Sequence, residues 1–264
     1  MMRETFPLIH SKEKSAKTQL PDISVNPDAC SNTHIRVVTR IASQPTGCKP
    51  QGKGRIKMKI VLYGATGNSG QRILQELTNR GHEVTAVARN TSKVPSTVKA
   101  VKDDLSNIDA IASVIAGADV VVSAYAPPHD NTDALLGVTE RQIAAVKKAG
   151  KARLIVVGGA GLLEVAPGVT LIASGYLPEA FLPIARSHEN ALGILKGSDV
   201  NWTYFSPAGF FEPGERTGKF RLGTTKLIAN EKGDSRISFE DYAVALADEI
   251  EKPAHERGQL SIGY

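Results

Sequence analysis

Three glycines at three-residue spacing, Gly64, Gly67 and Gly70, constrain the fold of this chain more than any other feature. They directly follow the apolar run Lys59–Tyr63 and open a helix-length segment. Glycine tolerates a sharp turn out of a strand, and it lets a helix pack closely against that strand. The spacing therefore predicts a strand, a tight turn and a helix in immediate succession, which is how a βαβ unit begins.

The same alternation of apolar runs and helix-length segments continues along the chain. Strands are predicted at Lys59–Tyr63, Glu83–Ala88, Val98–Val101, Asp119–Ala124, Arg153–Val157 and Asn201–Phe205, and helices at Ser69–Arg80, Asn107–Ala116, Asp133–Ala149 and Pro178–Lys196. The runs Val120–Val122 and Leu154–Val157 are apolar at every position, which is typical of strands covered on both faces. The pattern predicts the α/β fold class, with a doubly wound, mostly parallel sheet of the Rossmann type.

The composition changes after Pro207, and residues 208–236 are rich in glycine, lysine and arginine. A hairpin is predicted around Thr225–Ile237, with its turn near residues 231–234. Ser238 to Asp241 resembles a capping box that opens a helix to about Glu251, and residues 260–262 are a candidate last strand. We expect residues 208–264 to form a small C-terminal lid region, a wall on the substrate side of the domain 58–264.

The first 57 residues differ from the rest of the chain in charge. They carry ten Lys and Arg against four Asp and Glu, whereas residues 58–264 carry 22 against 23. The basic balance, with a pI of about 9.1, therefore belongs to this segment and does not indicate a nucleic-acid-binding domain. Since the segment shows no sustained helical or strand period, it is predicted to be a disordered or dispensable extension, with a targeting peptide as the alternative.

Composition and spacing also argue against several classes of protein. No apolar run reaches the roughly 20 residues that a membrane-spanning helix needs. The two cysteines, Cys30 and Cys48, cannot form a disulfide scaffold. No cluster of histidines and carboxylates has metal-ligand spacing, so no metal site is predicted. We expect a cytoplasmic protein with a small-molecule substrate and no nucleic-acid or membrane partner, whose oligomeric state, monomer or dimer, is open.

The glycine turn has the features of a dinucleotide-binding loop. The amides of the first helical turn, around residues 68–70, would face a pyrophosphate at the positive end of the helix dipole. A basic residue after the second strand is typical of NADP enzymes, because a guanidinium binds the ribose 2′-phosphate and a carboxylate would repel it. Arg89 stands at that place, so NADP is the predicted cofactor and NAD is less favoured. An ordinary solvated loop charge is the alternative for Arg89.

Further motifs resemble those of atypical short-chain dehydrogenases with a flavin/biliverdin-reductase-like or NmrA-like NAD(P)H-binding domain. Besides the glycine turn, they are Asp103-Asp-Leu105, Asn201-Trp-Thr-Tyr-Phe-Ser-Pro207 and the ending from Ile237 to Pro253. The resemblance implies that Asp104 contacts the adenine amino group, and a turn or helix-capping acid is the alternative for this residue.

The resemblance also implies that residues at the end of the fourth strand, Ser123 to Tyr125, line the nicotinamide ribose. The cofactor-binding residues predicted from the glycine turn and the resemblance together are Gly64, Thr66, Gly67, Asn68, Ser69, Gly70, Arg89, Asp104, Leu105, Ser123 and Ala124.

A departure from the best-known short-chain dehydrogenases, which the atypical relatives share, concerns proton transfer. The best-known short-chain dehydrogenases use a Tyr-x-x-x-Lys helix in which the lysine lowers the pKa of the tyrosine, but no tyrosine here has Lys four residues on. His188 falls near the position of that lysine and is the leading candidate acid, since histidine titrates near neutral pH. Its alternative is a helix histidine paired with Glu189. Tyr125 is the second catalytic candidate, because its loop leaves the carboxyl end of the fourth strand, where doubly wound sheets place ligands.

Three functions are compatible with these residues. The first is an NAD(P)H-dependent oxidoreductase that passes hydride between NADP(H) and a small carbonyl, quinone or flavin-like acceptor. The second is a non-catalytic NADP(H) sensor of the NmrA-like type, which the missing tyrosine-lysine dyad favours. The third, an NAD-dependent epimerase or dehydratase, is less favoured because such enzymes rely on that dyad.

Overall fold

The structure is a computed structural model that describes residues 57–264. The extension predicted for residues 1–57 lies, except for Lys57, outside the described residues. The domain predicted to begin at Met58 starts with a strand at Lys59, and the elements that follow alternate as the sequence indicates.

The described residues form twelve strands, five α-helices and three short 3₁₀ turns. The strands are β1 (Lys59–Tyr63), β2 (Glu83–Ala88), β3 (Lys99–Lys102), β4 (Val120–Ser123), β5 (Arg153–Val157), β6 (Glu164–Ala166), β7 (Val169–Thr170), β8 (Trp202–Ser206), β9 (Phe210–Glu212), β10 (Arg221–Gly223), β11 (Arg236–Ser238) and β12 (Gly258–Gly263). The helices are α1 (Asn68–Asn79), α2 (Ile108–Ile115), α3 (Ala134–Ala149), α4 (Leu182–Lys196) and α5 (Phe239–Glu251), and the 3₁₀ turns span Thr91–Lys93, Ala160–Leu162 and Glu179–Phe181.

Eight strands form the central sheet in the order β3-β2-β1-β4-β5-β8-β12-β10. All neighbours run parallel except β10, which is antiparallel to β12. The predicted Rossmann-type α/β fold is therefore confirmed, and each of the six predicted strands lies within one residue of its expected bounds. The chain order reverses between β1 and β4, and ligands of doubly wound sheets bind beyond the carboxyl ends of the strands at such a reversal.

The two faces of the sheet are covered by different helices. Ile60 and Leu62 of β1 belong to one buried cluster, together with apolar side chains of α1 and α5. The alternate residues, Val61 and Tyr63, belong to a second cluster with side chains of α2, α3 and α4. Since successive strand residues point to opposite faces, β1 is buried on both sides, as its unbroken apolar run predicts.

The C-terminal region departs in part from its prediction. The turn expected near residues 231–234 forms, because the Asn230 amide donates to the Asp234 carbonyl at 2.9 Å. The hairpin expected around Thr225–Ile237 does not form, since β11 pairs in parallel with β9 instead. The predicted capping box is present, with the Asp241 amide donating to Ser238 Oγ at 2.9 Å.

Much of the segment 208–264, expected to form a wall on the substrate side, belongs to the central layers. Helix α5 packs on α1, and β12 pairs in parallel with β8 inside the main sheet. A substrate-side role for the remaining strands and loops of this segment stays a prediction. Within residues 57–264 no helix is both long and apolar enough to cross a membrane.

Candidate cofactor and active site

The turn between β1 and α1 requires glycine at two of its three glycine positions. Gly64 has a φ of 75°, and a Cβ there would lie 2.2 Å from the carbonyl oxygen of Ala124. A Cβ at Gly70 would lie 2.1 Å from the carbonyl oxygen of Gly64. Both distances are far below van der Waals contact, so side chains at either position would force the turn, α1 and the end of β4 apart.

Gly67 has a different role in the same turn. It is the N-cap of α1 with extended backbone, and a Cβ there would meet one described atom, the carbonyl oxygen of Gly64, at 3.3 Å. Protein packing therefore demands glycine less strictly here than at Gly64 or Gly70. Its side-chain-free surface, which is exposed, suits the close approach of a phosphate group.

The amino end of α1 is suited to bind an anion. In the described part of the chain no side chain caps it, whereas the amino end of α2 is capped by Asn107, whose Oδ1 accepts from Asp109 and Ala110 amides at 2.8 and 3.1 Å. Uncapped first-turn amides and the helix dipole together attract negative charge. Asn68 is exposed and Ser69 is half-buried at this end, while the Thr66 carbonyl accepts from Gln71 Nε2 at 2.9 Å.

The carboxyl ends of β1 and β4 lie side by side next to this turn. The Ala124 amide donates to the Tyr63 carbonyl at 3.0 Å, and Ser123 pairs with Tyr63 in the parallel register. Ser123 and Ala124 are buried, and Tyr125 beyond them is half-buried against the second core cluster. The structure thus brings Ser123 and Ala124 to the glycine turn, while their role in lining a bound nucleotide stays a prediction.

The turn after β3 holds Asp104 and Leu105 in a local hydrogen-bond network. The Leu105 amide donates to Asp103 Oδ1 at 2.7 Å, and Leu105 has an unusual positive φ of 63°. Its carbonyl accepts from Arg141 Nε at 2.6 Å. The exposed Asp104 carboxylate accepts from the Ser106 amide at 3.0 Å, and hydrogen bonding to Ser106 lowers the pKa of Asp104. Asp104 is therefore a turn acid in this structure, while a contact with adenine stays a prediction.

Arg89 follows β2 directly and is exposed. Within residues 57–264 its guanidinium takes part in no hydrogen bond or ion pair, whereas neighbouring Asn90 caps the short turn Thr91–Lys93. A guanidinium without protein partners beside the second strand is available to an anion. Its contact with a 2′-phosphate stays a prediction.

The residues around the glycine turn fit a dinucleotide, since two glycines permit the tight cradle and uncapped amides face its opening. A family model described as NAD(P)H-binding matches residues 64–253, from the first glycine of that turn to Pro253. The chain belongs to this NAD(P)H-binding family.

Solved structures of similar proteins agree with this assignment. A Burkholderia pseudomallei protein, described as a proposed exported protein, is 44% identical with a TM-score of 0.72, over 78% of this chain and all of its own. A proposed epimerase from Bacteroides thetaiotaomicron is 42% identical with a TM-score of 0.74, and the match covers 79% of this chain and 98% of that protein. A proposed NADH-flavin reductase from Streptococcus pneumoniae is 34% identical with a TM-score of 0.72, and the match covers 78% of this chain and 99% of that protein. Because one of these proteins is described as exported, the cytoplasmic location of this chain stays a prediction.

His188 lies in α4, beside the loop that follows β5 in this NAD(P)H-binding domain. Its Nδ1 is 2.9 Å from Tyr204 Oη, and Tyr204 Oη accepts from the Gly159 amide at 3.1 Å. Burial lowers the pKa of His188 to about 4. The histidine is therefore neutral near pH 7, and a catalytic role for His188 stays a prediction.

The partner of His188 is one that the sequence did not reveal. Glu189, the neighbour considered as its partner, is exposed, whereas the hydrogen bond goes to the fully buried Tyr204 of β8. A sequence signal for this contact exists in the glycine pair that follows β5. A Cβ at Gly158 would lie 2.4 Å from Tyr204 Cε1, and a Cβ at Gly159 would lie 3.1 Å from His188 Cδ2.

Other polar groups at this edge were also missed. The hydroxyls of Tyr63 and Ser206, which end β1 and β8, are buried and have no hydrogen-bond partner among the described residues. Such groups are costly unless something satisfies them. Tyr125, the second catalytic candidate, forms neither a hydrogen bond nor a ring contact with His188 in the described part of the chain, so the structure does not join these two candidates.

In the same part of the chain no group of three or more His, Cys, Asp and Glu side chains is arranged to hold a metal ion.

Proposed function

We propose that this protein is an NADP(H)-dependent oxidoreductase that reduces a small carbonyl, quinone or flavin-like acceptor. The observation that carries the proposal is the glycine cradle at the β1–β4 reversal, where Gly64 and Gly70 leave no room for a Cβ. Support comes from the similar Streptococcus pneumoniae protein, which is itself described as a proposed NADH-flavin reductase. The preference for NADP rests on Arg89.

The protein supplies binding and orientation for this chemistry. When bound, NADPH supplies a hydride, which the acceptor takes up together with one proton. The first turn of α1 would hold the pyrophosphate, residues at the carboxyl end of β4 would hold the nicotinamide half, and Arg89 would bind the 2′-phosphate. Because His188 is neutral and has a pKa of about 4, solvent supplies the proton, while Tyr125 borders the acceptor.

Cofactor titrations followed by fluorescence test the binding part of the proposal. The wild type is expected to bind NADPH more tightly than NADH. The variant Arg89→Asp should weaken NADPH binding at least about tenfold and change NADH binding little, because a carboxylate repels the 2′-phosphate. The matched control is Lys151→Asp, which makes the same charge change at an exposed turn before β5. Equal loss of NADPH and NADH affinity in Arg89→Asp would refute the assigned contact.

A turnover screen tests the chemical part. Steady oxidation of NADPH with at least one acceptor from a panel of carbonyls, quinones and flavins is expected. Tight NADPH binding without turnover across the panel would instead establish the second candidate, a non-catalytic NADP(H) sensor, which the missing Tyr-x-x-x-Lys pattern favours.

A third candidate, an NAD-dependent epimerase or dehydratase, takes support from the similar Bacteroides thetaiotaomicron protein, described as a proposed epimerase. It would convert a substrate with no net oxidation or reduction of NAD, so product formation with NAD present and no net change in NADH absorbance distinguishes it from a reductase.

A further inference from the structure

Three hydrogen-bonded groups connect the loop after β5, strand β8 and helix α4, and of these Tyr204 is buried while Gly159 and His188 are half-buried. The Gly159 amide donates to Tyr204 Oη at 3.1 Å, and Tyr204 Oη lies 2.9 Å from His188 Nδ1. Tyr204 is completely buried, and the two rings meet edge-on with an interplanar angle of 74°. These three groups lie near the carboxyl end of β5, next to β4, whose carboxyl end is proposed to contact the cofactor.

The positions of the protons follow from counting donors and acceptors. The Tyr204 hydroxyl has one proton, and its oxygen already accepts from Gly159. The hydroxyl proton has two acceptors within reach, namely His188 Nδ1 at 2.9 Å and the His188 carbonyl at 3.5 Å. Since 3.5 Å is at the limit of a hydrogen bond, the proton belongs to the contact with Nδ1. Nδ1 is then an acceptor, and in a neutral imidazole the hydrogen must be on Nε2.

Both rings are neutral and fixed in place. Burial lowers the pKa of His188 to about 4 and raises the pKa of Tyr204 far above its ordinary value, so neither ring is charged near pH 7. The Tyr204 ring fills the space that a side chain at Gly158 would occupy, and the His188 ring lies against Gly159. The residue pair Gly158-Gly159 therefore makes room for this arrangement.

We propose that Tyr204 is a positioning residue that holds His188 as a neutral Nε2–H donor, and that the substrate presents a hydrogen-bond acceptor, such as a carbonyl or quinone oxygen, to that donor. The proposal rests on the oxidoreductase function proposed above. His188 then acts by hydrogen-bonding the acceptor oxygen as negative charge develops there, and the proton that completes the reaction comes from water. The substrates selected by such a site are those with an oxygen or nitrogen acceptor beside the carbon or ring position that takes the hydride.

The tautomer of His188 can be read directly in solution. In ¹⁵N NMR spectra at pH 7, the wild type should show His188 with a protonated Nε2 and an unprotonated Nδ1, assigned by the loss of its signals in His188→Gln. The variant Tyr204→Phe should shift His188 toward a mixture of tautomers, because Nδ1 loses its donor. A wild-type His188 that carries its hydrogen on Nδ1, or that is doubly protonated, would overturn the proposal, as would an unchanged tautomer in Tyr204→Phe.

Kinetics provide the second measurement, with a matched control. Tyr204→Phe should lower kcat about five- to tenfold, the value of one hydrogen bond, and leave the dissociation constant of NADPH within about twofold. The control is Tyr242→Phe, since Tyr242 is also completely buried and donates to the Phe205 carbonyl at 2.8 Å. An equal fall in kcat in both variants would show that Tyr204 is merely structural and would refute the positioning role.

Failure of the inference and failure of the proposed function give different results. If NADPH does not bind, or no acceptor is reduced, the oxidoreductase proposal falls, while the NMR spectra still decide the tautomer. If NADPH is oxidised but His188 has its hydrogen on Nδ1, the inference falls and the oxidoreductase proposal stands.

Discussion

Two clusters of polar side chains, at opposite ends of strands β5 and β8, differ in charge and in hydrogen bonding. At the amino end, the guanidinium of Arg153 donates to Thr203 Oγ1 and to both the carbonyl and the carboxylate of Glu249. At the carboxyl end, His188 and Tyr204 are neutral, and the Ser206 hydroxyl has no partner among the described residues.

The buried ion-paired cluster around Glu249 is saturated by its own partners. Besides Arg153, Glu249 accepts from the amides of Ala254 and His255 at 3.1 and 3.0 Å and pairs with the His255 ring at 2.8 Å. Although burial by itself raises the pKa of Glu249, hydrogen bonds from His255 and Arg153 hold it below its ordinary value. A buried charge with all its partners inside the protein is structural, whereas His188 and Tyr204 at the carboxyl end are neutral.

The largest effect on stability is expected from breaking the buried ion pair between Arg153 and Glu249. Glu249→Leu leaves Arg153, which is 5% exposed, as a buried charge without its carboxylate. We expect the free energy of unfolding to fall by about 3–5 kcal/mol, measured by urea denaturation. Glu189→Leu, the same change at an exposed position of α4, should alter it by less than about 0.5 kcal/mol. Similar losses of unfolding free energy in both variants would show that the buried ion pair stabilises the fold no more than an exposed carboxylate does.

The lowered pKa of His188 should make the free energy of unfolding depend on pH. Between pH 6.5 and about 4 the unfolded chain binds a proton at His188, whereas the folded chain, with its pKa of about 4, does not. The free energy of unfolding therefore falls as the pH drops through this range, by about 3 kcal/mol from this group. Denaturation curves of the wild type and His188→Gln from pH 7.5 to 4 measure it. The variant should lack this part of the slope, and parallel profiles would contradict the shifted pKa.

A smaller but more local effect is expected at the glycine turn. Gly70→Ala places a Cβ against the Gly64 carbonyl, so we expect NADPH affinity to fall about a hundredfold, measured by fluorescence titration. Gly193→Ala in the middle of α4 is the matched control, because a Cβ there meets no described atom within 4 Å. It should leave binding unchanged and raise stability by about 0.5–1 kcal/mol. If the folded Gly70→Ala variant binds NADPH as tightly as the wild type, the glycine turn is not the cofactor site.

The smallest effect separates two substitutions of the same residue. His188→Leu removes the proposed hydrogen-bond donor and should lower kcat about tenfold, while His188→Gln keeps an N–H donor near the position of Nε2 and should lose less. Steady-state kinetics with the best acceptor of the screen measure both. If the two variants are equally active, donation from His188 does not assist the reaction.

The strands, the helices and the glycine turn could be predicted because their signals are local. Apolar runs, helix-length segments and the spacing of Gly64, Gly67 and Gly70 each lie within a few residues of one another. The capping box at Ser238 is local in the same sense and was confirmed. The predicted hairpin around Thr225–Ile237 failed because β11 found its partner in β9, a pairing set by packing of the whole region and not by the turn between them.

The candidate site could be predicted only where it follows the fold. Ser123 and Ala124 lie beside the glycine turn because the carboxyl ends of strands at a chain reversal meet at one edge of the sheet, while their contact with a nucleotide stays a prediction. The state of His188 could not be predicted, because its pKa depends on burial by residues far along the chain. Tyr204, sixteen residues away, supplies the hydrogen bond, and the glycines after β5 make room for it.

The sequence by itself determined the order of the elements and the glycine turn after the first strand, since backbone conformation at glycine and the burial of apolar runs are decided by near neighbours. Only the tertiary structure decided which side chains are neutral, paired or left without partners, because solvation and hydrogen bonding depend on what the fold brings together from β1, β5, β8, α4 and α5. The cradle is therefore readable in the chain, while the chemistry beside it had to be read from the folded protein.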